Sequence, residues 1–553
     1  TDNVILTSER SNRRDSDMAI STSMSRRSFV ATAAATAATG IALGTATANA
    51  DEAKTDGATS GDTLECDVLV CGLGASGATA AVAAARGGAK VIAIETADDI
   101  TGAGGTSHCT APAMFGSKAQ NEANPDVPVT EQDAFEYLYP LTHYQENGLL
   151  LREMIRRSGI VVDEMVAAGF PFMFANTTVD ADAPFKNKCG CIYTVRGAER
   201  GALWEAMWDE AGVDYRYGTT AESAILADDG TLAGIHCTTA DGDLDIHAKR
   251  VILCCGGFIS NTEMVKQYYA GADIVSCGMP ADKGDGTNIA LSLGAQMGKN
   301  FSTSVNEFGG SNLKAVPQTA RGPQAECNSA LRLQILGLPA FDKHGNRFLD
   351  EGIMNGHVMY SAEPLLRNST YYILADQAFI DRIKSEPYGN FVDTSEPTNV
   401  ANNLVDLELT AIEDDVDAAV EEGWAAKGTL AEVAEAFGLE NLEASVAQYN
   451  EYCEAGLDDQ FFKTPEYLIP LTQEPYYLIE YNPSGYLTMG GIKCDAGCHA
   501  LDVNNDIVPN LFVAGTDADL WSVPYALGGS AHGFCLSSGW LAGETAAKEI
   551  AEA

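Results

Sequence analysis

The sequence predicts an α/β fold: a parallel sheet with flanking helices, its chain interrupted by an inserted second domain. Three observations predict it. The first is Cys66-Asp67-Val68-Leu69-Val70-Cys71-Gly72-Leu73-Gly74-Ala75-Ser76-Gly77. Here β-formers enter a G-x-G-x-x-G turn, and small helix-forming residues and a second apolar strand, Val91 to Ile94, follow. The second is Arg250-Val251-Ile252-Leu253-Cys254-Cys255-Gly256-Gly257, a fully apolar strand running into a double glycine. The third is a change of pattern. From about Val305 glycine becomes sparse and amphipathic helices dominate to about 480; strands then return, ending on Asn510-Leu511-Phe512-Val513-Ala514-Gly515.

The front of the chain carries a leader signature. Ser25-Arg26-Arg27-Ser28-Phe29-Val30 is a twin-arginine sequence, Ala31 to Ala48 is weakly apolar, and Ala48-Asn49-Ala50 is an A-x-A site. Residues 1–50 are therefore expected to be a Tat signal peptide with an upstream extension, and 51–62 a flexible polar linker. The expected address is extracytoplasmic, periplasmic or cell-envelope. No other apolar run is long enough to span a bilayer, so no membrane span is expected in the mature chain. The 553 residues carry 34 Lys+Arg against 77 Asp+Glu, a net charge of −43. Such a surface repels nucleic acid and anionic membranes and attracts cationic proteins. The 14 cysteines sit largely in strands or beside glycine turns, where free buried thiols are expected.

In the first turn each glycine has a mechanical role. Gly72 makes the tight turn, Gly74 admits the backbone to a pyrophosphate, and Gly77 lets the helix lie on the strand. Ala75 and Ser76 open that helix, whose N-terminal N–H groups face an anion. Glu95, 18 residues after Gly77, stands where a carboxylate accepts from a ribose. These residues predict dinucleotide binding. The loop Gly102-Ala103-Gly104-Gly105-Thr106-Ser107 follows, able to fold back along a cofactor. Helices are expected over Glu131–Tyr139, Leu149–Ala168 and Ala202–Ala211. Strands are expected over Val213–Tyr217, Ala224–Leu226 and Gly234–Thr238. Gly284-Asp285-Gly286 opens a helix over Thr287–Leu293, and Phe341 to Phe348 reads as a hairpin. Thr429-Leu430-Ala431-Glu432 is a capping box before an amphipathic helix, and Leu442, Val446 and Tyr449 mark the next one. A strand is expected over Tyr486–Ile492 and a last helix from about Ser530 to Ala551.

The order of these motifs, with Gly345-Asn346-Arg347-Phe348 and Thr488-Met489-Gly490-Gly491, resembles the soluble fumarate reductase-like flavoproteins over about 62–553. That family includes urocanate and cardiac glycoside reductases, and 3-ketosteroid dehydrogenases are its relatives. The resemblance implies a Rossmann-like FAD-binding domain split by an inserted α+β capping (clamp) domain. Its parts would be 63–304, 305–480 for the insertion, and 481–553. It implies FAD as cofactor, held by the turn residues above and Glu95, by Gly104, Gly105, Thr106 and Ser107, and by Ala221, Gly256 and Asp285. Gly515, Thr516 and Asp517 would hold it too, with Gly529, Ala531 and His532. No metal is implied. Cys494-Asp495-Ala496-Gly497-Cys498-His499 has the spacing of a rare haem attachment variant but lies in a hairpin, and no ferredoxin-type cysteine run is visible.

The departures from that family concern the substrate. Its proton-delivering arginine falls on Asn355, with His357 close by; its carboxylate-binding histidine falls on Leu487; its C-terminal arginine falls on Ala526. The carboxylate clamp is thus absent, and fumarate is a poor candidate. Pro524-Tyr525-Ala526-Leu527-Gly528-Gly529 is similar instead to the ketone-holding tyrosine-glycine segment of 3-ketosteroid dehydrogenases. Tyr525 is therefore a candidate for polarising a carbonyl, or else packs beside the flavin. Tyr486 and His357 are candidate proton donors, or else packing residues. Arg347 is expected to tie the insertion together. The implied activity is reduction of an activated C=C bond in an enone, lactone or unsaturated acid other than fumarate. Electrons would come from a separate donor, a membrane-anchored multihaem cytochrome. The alternatives are a 3-ketosteroid-type dehydrogenase and a non-catalytic flavin electron carrier.

Overall fold

The computed structural model describes residues 62–109, 111–126, 128–175, 189–299, 301–303, 310–315, 328–356, 362–392, 405–520 and 527–553. The twin-arginine leader and all but the last residue of the linker lie outside them, as do His357, Tyr525 and Ala526.

The chain enters on strand β1 (Asp62–Cys71), whose Val68 to Cys71 are wholly buried. Helix α1 (Ala75–Arg86) returns over the sheet to β2 (Val91–Ile94), and β1 and β2 pair in parallel from Val68↔Val91 to Cys71↔Ile94. Helices α2 (Gly148–Ala167) and α3 (Gly197–Ala211) precede β3 (Asp214–Arg216), the outer parallel strand. Strands β4 (Thr219–Leu226), β5 (Leu232–Thr239) and β6 (Gly242–Leu253) form an antiparallel meander. β6 then joins β1 in parallel along nearly its whole length. Helix α4 (Asp285–Ser292) follows.

The stretch expected to be largely helical also builds a four-stranded antiparallel sheet, from β7 (Ala340–Phe341), β8 (Tyr371–Asp376), β9 (Ala425–Gly428) and β10 (Tyr476–Tyr481). Helices α5 (Leu430–Phe437) and α6 (Leu442–Ala455) cover one face with Val433, Leu442, Val446 and Tyr449. The predicted capping box is present: Thr429 Oγ1 accepts from Glu432 N at 3.3 Å, and Glu432 Oε2 accepts from Thr429 N at 2.8 Å. Periodicity exposed the helices, but β7 and β9 are too short to leave a period-2 signal. The apolar residues of this region pack into cores of their own around Trp424, Tyr477 and Tyr481, and around Tyr449.

The chain returns to the first sheet through β11 (His499–Leu501) and β12 (Ile507–Val513), giving the order β11-β12-β6-β1-β2-β3. The expected strand over Tyr486–Ile492 shrinks to Thr488–Met489, paired with Ser302–Thr303. Gly490 has φ +91°, and a Cβ on Gly491 would stand 2.5 Å from Asp517 O, so the glycines end the strand and admit the 515–517 turn. The last helix, α7 (Ser530–Glu552), lies against α1. Cβ atoms on Gly539 and Gly543 would sit 1.9 Å from Ser76 O and 2.3 Å from Ala80 O, so the helices touch backbone to backbone. Thr79 Oγ1 locks the crossing by donating to Leu536 O at 2.8 Å. Among the described residues, no helix is long and apolar enough to cross a membrane.

Candidate functional site

A cavity of about 340 Å³ opens at the carboxyl ends of the parallel strands, where open α/β sheets hold ligands. It is built by the segments that follow β1, β2, β6 and β12, with the start of β4 and the first turns of α7 closing it.

The turn after β1 forms its floor. Gly72 has φ +94°, and a Cβ there would stand 2.3 Å from Cys254 O on the neighbouring strand. Gly77 carries the helix against the turn, since its Cβ would overlap Gly72 O at 1.7 Å. Gly74 meets Gly104, whose own Cβ would stand 2.6 Å from Gly74 Cα, so the loop after β2 folds down onto the first turn. No side chain caps α1, and its first N–H groups are left for a ligand anion. Glu95 is buried beside this floor. Its Oε2 accepts from Leu73 N at 2.8 Å and its Oε1 from Ala97 N at 3.0 Å. Burial pushes its pKa up, against the pull of those two N–H donors. Thr96 and Thr220 join their hydroxyls at 2.7 Å on the adjoining wall.

Of the residues expected to hold a cofactor, Gly72, Gly74, Ala75, Ser76, Glu95, Gly104, Gly105, Thr106, Ala221, Gly256, Asp285 and Thr516 line this cavity. Others support it from behind. A Cβ on Gly515 would stand 2.3 Å from Ser76 Oγ, and Gly529 packs against the Ala111 carbonyl. Asp517 is fully buried, accepts from Cys255 N and from Thr287 Oγ1 (3.2 Å), and so ties the 515–517 turn to β6 and α4. Burial raises its pKa to about 6. Ala531 and His532 lie in the first turn of α7, and Ser107 lines a smaller void with His108 and Arg200. The His532 ring stacks on Tyr193 at 5.7 Å, and the Arg200 guanidinium lies 4.7 Å from the same ring. Burial, then the charge of Arg200, holds His532 well below the usual imidazole range, so it is neutral.

Met279, Ala281 and Asp282 also line the cavity and carry no motif that would mark them in a single sequence. Asp282 is the notable addition, a buried carboxyl three residues before Asp285. Cys254, Cys255 and Cys535 line the cavity as free thiols, as expected of strand and glycine-turn cysteines.

The candidate substrate residues are spread more widely. Leu487 lines the cavity and is 5% exposed. Tyr486 is half-buried and packs against the core of the antiparallel sheet. Asn355 donates from Nδ2 to Phe391 O at 2.6 Å. Arg196 is exposed at the start of α3. Arg347 is structural, as expected. It is buried and bonds Glu351 at 2.7 and 2.9 Å and Asp458 at 2.9 Å. Cys494 and Cys498 are buried, and His499 is held between Asp495 and Glu549. Among the described residues, no group of His, Cys, Asp or Glu is arranged to hold a metal ion.

The residues fit an FAD molecule. An uncapped helix N-terminus lies on a floor of glycines, where side chains would block a pyrophosphate. A buried carboxyl, Glu95, lies beside it for a ribose. Comparison with known proteins agrees. The chain is 26% identical over 502 residues to vinyl phenol reductase of Lactiplantibacillus plantarum, covering 88% of this chain and 96% of that one. It is 25% identical to fumarate reductase (cytochrome) of Shewanella frigidimarina, covering 87% and 77%. It is 28% identical over 313 residues to urocanate reductase of Eggerthella lenta, covering 54% of this chain and only 45% of that one. Among solved structures, 3-ketosteroid Δ1-dehydrogenase of Sterolibacterium denitrificans superposes with a TM-score of 0.64 at 18% identity, over 88% of this chain and 100% of that one. The open conformation of a flavocytochrome c3 fumarate reductase gives 0.60 at 22%, over 88% and 79%. The sequence matches the FAD binding domain family over residues 67–539, so the chain belongs to that family and is an FAD-dependent oxidoreductase.

Proposed function

We propose that this protein is an extracytoplasmic reductase of an activated C=C bond whose substrate is held without a carboxylate clamp. The observation that carries the reading is Leu487. It lines the cavity wall where the resembling fumarate enzymes place a histidine. A dicarboxylate reaching position 487 would meet an apolar side chain in place of a cationic one. An enone, a lactone or a vinyl phenol, each with one conjugated oxygen, suits an apolar wall. Relatives named as vinyl phenol, urocanate and fumarate reductases support C=C reduction as the reaction class.

Bound FAD, once reduced by an external electron donor, would supply a hydride from N5 to the β-carbon of the alkene. The chain's own part is to hold the substrate oxygen and to deliver a proton. Tyr525 is the proposed donor to the substrate oxygen, with Tyr486 as its partner, and Tyr486 or His357 protonates the α-carbon. An oriented donor of this kind is worth roughly 3–4 kcal/mol. The twin-arginine leader would place the enzyme outside the cytoplasm, where a membrane-anchored multihaem cytochrome would feed it. The net charge of −43 would steer a basic partner toward it.

Reduced viologen with a panel of vinyl phenols, enones, lactones and unsaturated acids tests the reading. Reoxidation is expected with members of the first three classes. Reoxidation by fumarate alone refutes the inference from Leu487, and reoxidation by none refutes the reductase.

A further inference from the structure

Bound FAD adds a dianionic pyrophosphate to a cavity whose lining already holds three carboxyls, Glu95, Asp282 and Asp285, and among the described residues no Lys, Arg or His. The N-terminus of α1 contributes about half a positive charge, too little to balance that total. The three carboxyls are not equivalent. Glu95 is buried, which raises its pKa, but its carboxyl already accepts from the Leu73 and Ala97 N–H groups. Asp285 is exposed; partial burial raises its pKa, and Lys283 opposes that shift. Asp282 is 6% exposed and lies between two of the glycine loops that shape the cavity. Its Oδ1 stands 2.3 Å from the position of a Cβ on Gly256, and its Oδ2 stands 3.2 Å from that on Gly105. Its backbone is held at both ends, N donating to Met279 O (3.1 Å) and O accepting from Ser260 N (2.9 Å).

We propose that Asp282 takes up a proton when FAD binds and meets the cofactor as a neutral acid. It is then able to donate a hydrogen bond where a carboxylate would repel the dinucleotide. The groups around it point the same way. Asp517 after β12 and Glu95 after β2 both push the pKa of Asp282 up, and burial keeps Cys535 of α7 a neutral thiol. The neighbouring Lys283 is exposed and faces Asp285. Burial and then the Asp517 charge already raise the pKa of Asp282 before FAD is present, against the Met279 N–H. FAD raises it further. Affinity is therefore full below the pKa of the FAD-free protein and falls as pH rises toward that of the complex. This inference rests on the family's cofactor and not on the substrate.

The test follows flavin fluorescence on dilution of the holoenzyme between about pH 6 and 10. The dissociation constant is expected to rise by up to about tenfold per pH unit through the window. In Asp282→Asn, which imitates the neutral acid, it should stay flat and FAD should be retained at alkaline pH. A pH-independent wild type, or an Asn variant that releases FAD like the wild type, overturns the proposal. Should the variant fail to fold, wild-type apoprotein is titrated with FAD by calorimetry near neutral pH in buffers of different ionisation enthalpy. Net proton uptake upholds the proposal, and none or net release overturns it.

Discussion

Replacing Arg347 by Met tests how the region of the antiparallel sheet is held together. The Arg347 side chain is 1% exposed, and its partners Glu351 and Asp458 are 0% exposed. Its guanidinium also lies 4.9 Å from the Tyr449 ring and 5.2 Å from that of Phe461. Lys463, itself buried, reaches Glu351 at 3.2 Å and Gly337 O at 2.6 Å. The four charges balance in pairs. Burial pushes the pKa of Glu351 up, but Lys463 and Arg347 outweigh it and keep the acid ionised. Met fills most of the volume and leaves two buried carboxylates with one ammonium. Breaking a buried pair in this way costs about 3–5 kcal/mol, roughly 150- to 5,000-fold in the folded-to-unfolded ratio. Urea unfolding followed by the fluorescence of Trp424, which is buried in the neighbouring core, reads the loss. Adding Asp458→Asn should recover part of it by removing the stranded charge. A loss below about 1 kcal/mol, the scale of a surface pair, or a double variant worse than the single, refutes the reasoning.

Gly77→Ala puts a methyl 1.7 Å from Gly72 O and should yield protein without flavin. Gly88→Ala, with φ +93° and no neighbour near its Cβ, should cost only about 1–2 kcal/mol and keep its flavin; equal flavin content in the two variants would refute the packing argument. His499 bridges Asp495 at 3.0 Å and Glu549 at 2.6 Å. Burial lowers its pKa, but the two acids win and the folded-state value is raised. Its stabilisation is therefore complete below about pH 6.5 and fades as pH rises through the raised value. The Tm gap between wild type and His499→Gln should shrink along that path, and a gap that widens with pH would contradict it.

The cofactor end of the molecule was legible because its constraints fall on the backbone. Gly72, Gly74 and Gly77 are where carbonyls or Cα atoms stand too close for a Cβ, and such positions show in a sequence as fixed glycine spacing. The structure adds a second constraint at Gly74, where a Cβ would stand 3.2 Å from Gly104 Cα. Asp282 was not legible because a carboxyl before a helix is ordinary; only the glycines facing it make it unusual. The strand around Thr488 was over-read because Gly490 and Gly491 serve the Asp517 turn and not the sheet. The antiparallel sheet was under-read because its pairing spans Ala340 to Tyr481, far beyond any local window.

Arg347 and Leu487 together separate what a motif preserves from what it does. The glycine-containing segment around Arg347 keeps its arginine, yet that arginine is spent on two buried acids and points at no cavity residue. Its retention follows from the cost of leaving Glu351 and Asp458 unpaired, whatever the substrate. Position 487 is constrained differently. Leu487 adjoins the Thr488-Met489-Gly490-Gly491 motif, packs in the apolar core and lines the cavity, with no buried charge to be matched. An arginine in a retained motif is thus weak evidence for a carboxylate substrate. A leucine at a wall position where the resembling family carries a cation is the stronger evidence against one.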